Sequence, residues 1–167
     1  MQSSFVKLPL VLILCIVSLS YTNAEKKVTV HSYNADVTNG NNVLDSWSPS
    51  LSNGLITSNI GVSQNCPSAA QVVIKIFKDE QLVNTFNQNF KQPIKEFESY
   101  NICSSIDAPE PDDDSCSVAQ GEHTASDCDL SSFFSDMDNG QYIVECEFKF
   151  SNNVVSTAKL DLTVEDA

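Results

Sequence analysis

The side chains of this 167-residue chain with chemical potential are its cysteines, two histidines and 22 carboxylates. None falls into a catalytic pattern. There is no G-x-S-x-G elbow, no H-E-x-x-H and no glycine-rich phosphate loop. Zinc sites use closely spaced Cys and His ligands, yet no C-x-x-C occurs, and His31 and His123 are far apart. His31 lies in an alternating stretch on the opposite side from Val28 and Val30, and His123 lies near a turn; both are expected on the surface. With so many carboxylates, close pairs arise by chance and mark no acid/base site. The acidic loop Ala108–Asp114 offers calcium-type ligands but lacks the spacing and glycine of a calcium loop, so a solvated loop is expected. The expectation is a non-enzymatic protein without metal or cofactor, whose chemistry is disulfide formation.

The N-terminus agrees with an oxidising compartment. Residues 1–24 have the plan of a signal peptide: Lys7, an apolar run Leu8–Ser20, then Thr22-Asn23-Ala24 before a cut. Cys15 leaves with that segment. The remaining 143 residues, 25–167, make one domain of ordinary size. They hold eight Lys and no Arg against 22 Asp and Glu, a formal charge of 8 minus 22, or −14. Such a surface repels phosphates, which excludes nucleic acid as a partner and polybasic docking to anionic lipid. The remaining cysteines are Cys66, Cys103, Cys116, Cys128 and Cys146, an odd number. In a secreted or endosome–lysosome setting they are expected to pair with one left over.

The elements that position these residues read as strands. Lys27–Ser32, Leu55–Val62, Gln71–Phe77, Leu82–Phe90, Gly121–Asp127, Tyr142–Phe150 and Val154–Val164 are the strand candidates, several strictly alternating, between Asn, Gly and Ser turns. Lys78–Gln81 predicts a hairpin turn. In Tyr142–Phe150, the residues Tyr142, Val144, Cys146, Phe148 and Phe150 share the inner face. Single helical turns are expected within Gln92–Tyr100 and Asp129–Asp136. The predicted fold is all-β, a two-sheet antiparallel immunoglobulin-like β-sandwich.

The chain resembles the ML lipid-recognition domain family, which includes ganglioside-activator, sterol-transfer and phosphatidylglycerol/phosphatidylinositol-transfer proteins. The resemblance spans about Val28 to Val164 and rests on four stretches. These are Val43–Trp47 with Gly54–Thr57, the strand Gln71–Phe77 followed by Tyr100–Cys103, Cys116–Glu122, and Asp138–Val144. Ser117 stands where the family has proline, and the family's cysteines near both ends of the mature chain have no counterpart here.

What the resemblance implies is a lipid carrier with an apolar cavity between its sheets and transient membrane contact. Exposing an acyl chain of roughly sixteen methylenes costs about 13 kcal/mol at about 0.8 kcal/mol each, so a soluble carrier needs a dry slot. Val72, Ile74, Ile76, Tyr142, Val144 and Phe148 are the expected lining. Phe133 and Phe134 form either an entrance that touches membrane or a plug over one end. The family's loop-closing bridge maps onto Cys103 and Cys116. Inward alternation of Cys146 suggests a second pair, Cys128 with Cys146, leaving Cys66 exposed in the turn Gln64–Pro67 as a free thiol or a link between two chains. The rival reading is an Ig-like adhesion or recognition module with a filled core.

Overall fold

In a computed structural model, residues 26–66, 69–111 and 117–167 are described. The expected signal peptide, Cys116 and residues 112–114 of the acidic loop lie outside them. The chain forms β1 (Lys26–Val37), β2 (Leu44–Ser52), β3 (Leu55–Val62), β4 (Ala70–Lys78) and β5 (Gln81–Phe90), then helix α1 (Pro93–Glu98). After these come β6 (Ser105–Asp107), β7 (Gly121–Cys128), a 3-10 turn (Ser131–Phe133), β8 (Gly140–Phe150) and β9 (Asn153–Asp166). All seven expected strands form, with β1 several residues longer than its alternation suggested. The two strands not foreseen have weak apolar patterns. β2 carries Pro49 among serines, which is tolerated because β2 is an edge strand. β6 has only three residues.

Four hairpins build the sandwich. β2–β3 and β6–β7 lie in a sheet of order β2-β3-β7-β6; β4–β5 and β8–β9 lie in a sheet of order β1-β9-β8-β4-β5. Every pairing is antiparallel. Three hairpins turn on two residues with positive φ: Asn53-Gly54, Asp79-Glu80 and Ser151-Asn152. Positive φ at both positions matches the turn to strand twist. Between hairpins the chain crosses from one sheet to the other three times: from β3 to β4, through α1, and through the 3-10 turn.

The inner rows supply the core. Val72, Ile74 and Ile76 of β4, Tyr142 to Phe150 on alternate positions of β8, and Leu160, Leu162 and Val164 of β9 are buried, as alternation predicts. A bulge at His31 turns both His31 and Ser32 outward, so Val30 and Tyr33 can both face in. Two contacts tie the sheets together. The ring of Trp47 (β2) meets Phe148 (β8) edge-on at 4.8 Å. The Trp47 indole N–H donates to Ser58 Oγ at 3.1 Å, and Tyr33 Oη shares a hydrogen bond with the same oxygen at 3.2 Å. Burial raises the Tyr33 phenol far above its ordinary pKa, so it remains neutral.

The cysteine expectations are corrected. Cys103 is bonded to Cys128, with Cα atoms 3.8 Å apart, and not to Cys116. The reason is register. β6 pairs Ser105 with Ser126 and Ile106 with Ala125. Continued outward, that ladder sets Cys103 opposite Cys128, reinforced by bonds from Ser104 N to Ser126 O and Asp129 N to Ile102 O. The bridge therefore joins strand ends rather than the loop's mouth. Cys146 does not pair with Cys128: it lies on the other sheet, between Ile74 and Ala158. Cys66 is buried, not exposed, because its backbone N–H bonds to Val118 O and draws the turn under the sandwich.

Candidate functional site

A small pocket lies between the sheets at the end of the sandwich where β3 finishes and β8 finishes. Leu44, Trp47, Ile60, Val62 and His123 line it from one sheet, and Phe148, Phe150 and Ser156 from the other. Cys66, Ile94 and Val118 close its flank. Its volume is about 40 Å³. Ile94 of α1 is the one lining residue that is not buried, so it marks the rim. The helix that carries Ile94 is six residues long and starts without a side-chain cap. Helices so short are marginal alone. Phe97, fully buried, anchors it.

Of the expected lining residues, only Phe148 reaches this pocket. Val72, Ile74, Ile76, Tyr142 and Val144 are buried and face inward but do not line it. Tyr142 extends its hydroxyl to the Asp138 carbonyl at 2.8 Å and receives the Lys78 ammonium over its ring. Phe133 and Phe134 do not form an exposed entrance. They are 9% and 0% exposed and follow β7 at the opposite end of β3 from the pocket. Phe133 packs against Tyr100 at 5.6 Å, so this pair plugs that end. Among the described residues, the exposed large apolar side chains are Leu82 and Val83 on β5.

Two polar side chains in the pocket escaped the sequence reading. His123 was expected on the surface, but it is 3% exposed. Its strand faces Ala125 and His123 inward together, a parity that β7's short apolar content hides. Ser156 is fully buried and continues the inward row of Ala158, Leu160 and Leu162. His123 Nε2–H donates to the Ala119 carbonyl at 2.7 Å. Burial lowers the His123 pKa, outweighing the Ala119 bond and the nearby Glu122, so at neutral pH the ring is neutral and Nδ1 carries a lone pair. Among the described residues, neither Nδ1 of His123 nor Oγ of Ser156 has a hydrogen-bond partner. His31, by contrast, is exposed as expected and meets Thr163 Oγ1 at 2.7 Å.

A larger hollow of about 290 Å³ lies on the outer face of the five-stranded sheet, among Asn34, Asp36, Lys75, Glu145, Glu147 and Lys159. Three carboxylates and two lysines share it, with Lys159 and Glu145 paired at 3.2 Å. It is a solvated surface with no buried unpaired polar atom, whereas the smaller inter-sheet pocket is mainly apolar and holds two, so the smaller pocket is the better candidate site. Among the described residues, no three His, Cys, Asp or Glu side chains gather to hold a metal ion, and no helix is long and apolar enough to cross a membrane. No protein-family model matches the chain, and no curated protein matches it.

Proposed function

We propose that this protein binds a lipid and carries it through an aqueous compartment, outside the cell or in the endosome–lysosome lumen. The ligand class is phospholipid, sterol or glycolipid. The observation that carries the reading is the inter-sheet pocket, lined by Trp47, Phe148, Phe150 and aliphatic side chains. Binding sites for small ligands are concave and mainly apolar with few polar groups, and this pocket has that character. The disulfide, which suits an oxidising compartment, and the resemblance to lipid-recognition domains add support.

The pocket's volume of about 40 Å³ admits only the end of a ligand. Uptake of a whole acyl or sterol body therefore requires α1 to swing aside and the sheets to part at that end. Transfer of roughly sixteen methylenes out of water, worth about 13 kcal/mol, drives the opening. Membrane contact during exchange falls to the rim of the pocket beside Ile94, because Phe133 and Phe134 are buried at the other end and the exposed Leu82 and Val83 lie by the start of β8, away from the pocket. Native mass spectrometry of protein purified without detergent tests the reading. A bound lipid is expected. A bare protein that also fails to take lipid from vesicles would favour the adhesion or recognition module with a filled core.

A further inference from the structure

We infer that His123 Nδ1 and Ser156 Oγ form a recognition site for a single hydroxyl group, so that the ligand enters the pocket alcohol end first. The inference rests on the lipid-binding reading and names the chemistry of the buried end. Both atoms are buried, both residues line the same pocket, and neither atom has a partner among the described residues. A buried polar atom left unpaired is costly, and two in one apolar pocket call for a group that satisfies both.

The donor inventory selects the ligand. Nε2–H is committed to Ala119, so Nδ1 can only accept. Ser156 Oγ can both donate and accept. An alcohol satisfies both at once: its O–H donates to Nδ1 and its oxygen accepts from the serine hydroxyl. A methyl ether can accept but not donate, and a hydrocarbon does neither. A phosphate or an ionised carboxylate is excluded because a buried anion facing the Nδ1 lone pair has no compensating positive charge. The volume, about 40 Å³, holds roughly three water-sized groups at about 10–15 Å³ each. That suits a hydroxyl and the two carbons next to it, with the rest of the ligand extending past Ile94.

Trp47 is the only tryptophan and lines the pocket, so its fluorescence reports binding directly. The probes are 1-octanol, octyl methyl ether and octane, titrated into the wild type and Ser156→Ala. Octanol is expected to bind roughly tenfold more tightly than the ether, and Ser156→Ala to remove most of that preference. The ¹⁵N resonance of His123 Nδ1 should move on adding octanol and stay in place with octane. Ser156→Ala removes an unsatisfied group and should fold, so the test does not depend on a fragile variant. Equal binding of all three probes, unaffected by Ser156→Ala, overturns the hydroxyl site while leaving lipid binding intact. No binding of any probe overturns both. A water molecule that bridges the two atoms and persists in the presence of octanol also overturns it.

Discussion

Ser58→Ala should be the most informative single change in the core. Ser58 sits on β3 at 0% exposure and is the shared partner of Trp47 from the same sheet and Tyr33 from the opposite one. Truncation removes one oxygen and strands two polar groups, the indole N–H and the phenol, in a space that water does not reach. An orphaned buried group costs about 1–3 kcal/mol, so the pair is worth about 3 kcal/mol after partial relaxation. For a domain of this size that lowers Tm by roughly 10 °C. Urea unfolding followed by Trp47 fluorescence measures it, and the midpoint should fall while the slope stays constant. Tyr33→Phe alone should cost about 1 kcal/mol. Added to Ser58→Ala it should cost almost nothing more, because the phenol it removes is already unpaired. A Ser58→Ala protein within about 0.5 kcal/mol of wild type would refute the hub, as would full additivity of the two changes.

Phe134→Ala should destabilise by about 3–5 kcal/mol, as expected for a fully buried aromatic plug, and an intact melting curve would return it to the role of an entrance. Peptide mapping without reduction should recover Cys103 joined to Cys128; Cys103 joined to Cys116 would contradict the register of β6 and β7. Removing that bridge as Cys103→Ser should cost about 3.5 kcal/mol for its 25-residue separation. The His123 pKa is lowered from 6.5 on folding, so the unfolded chain takes up a proton that the folded chain refuses. Stability from this residue is full above about pH 6.5 and is lost as pH falls through the lowered folded value. Denaturation at a series of pH values should show a shallower slope in this window for His123→Gln, which keeps a donor for Ala119; an unchanged slope would assign the dependence elsewhere.

Period-two alternation is a local property, so the strands around Ile74, Val144 and Leu162 and their inward rows were legible from residue types alone, as was the hairpin turn at Asp79-Glu80. The same parity was available for Ser156, but a serine in an apolar row reads as ordinary until burial is known. Three features needed the assembled fold. Disulfide pairing depends on which residues a ladder sets opposite one another, and the β6–β7 register put Cys128 beside Cys103 from 25 residues away. The exposure of His123, Phe133 and Phe134 depends on which end of the sandwich is covered, and the crossing segments before β6 and before β8 decide that. The pocket itself is a mismatch between two packed faces. Each strand's sequence specifies only its own face, while the space left between two sheets depends on how both are laid together.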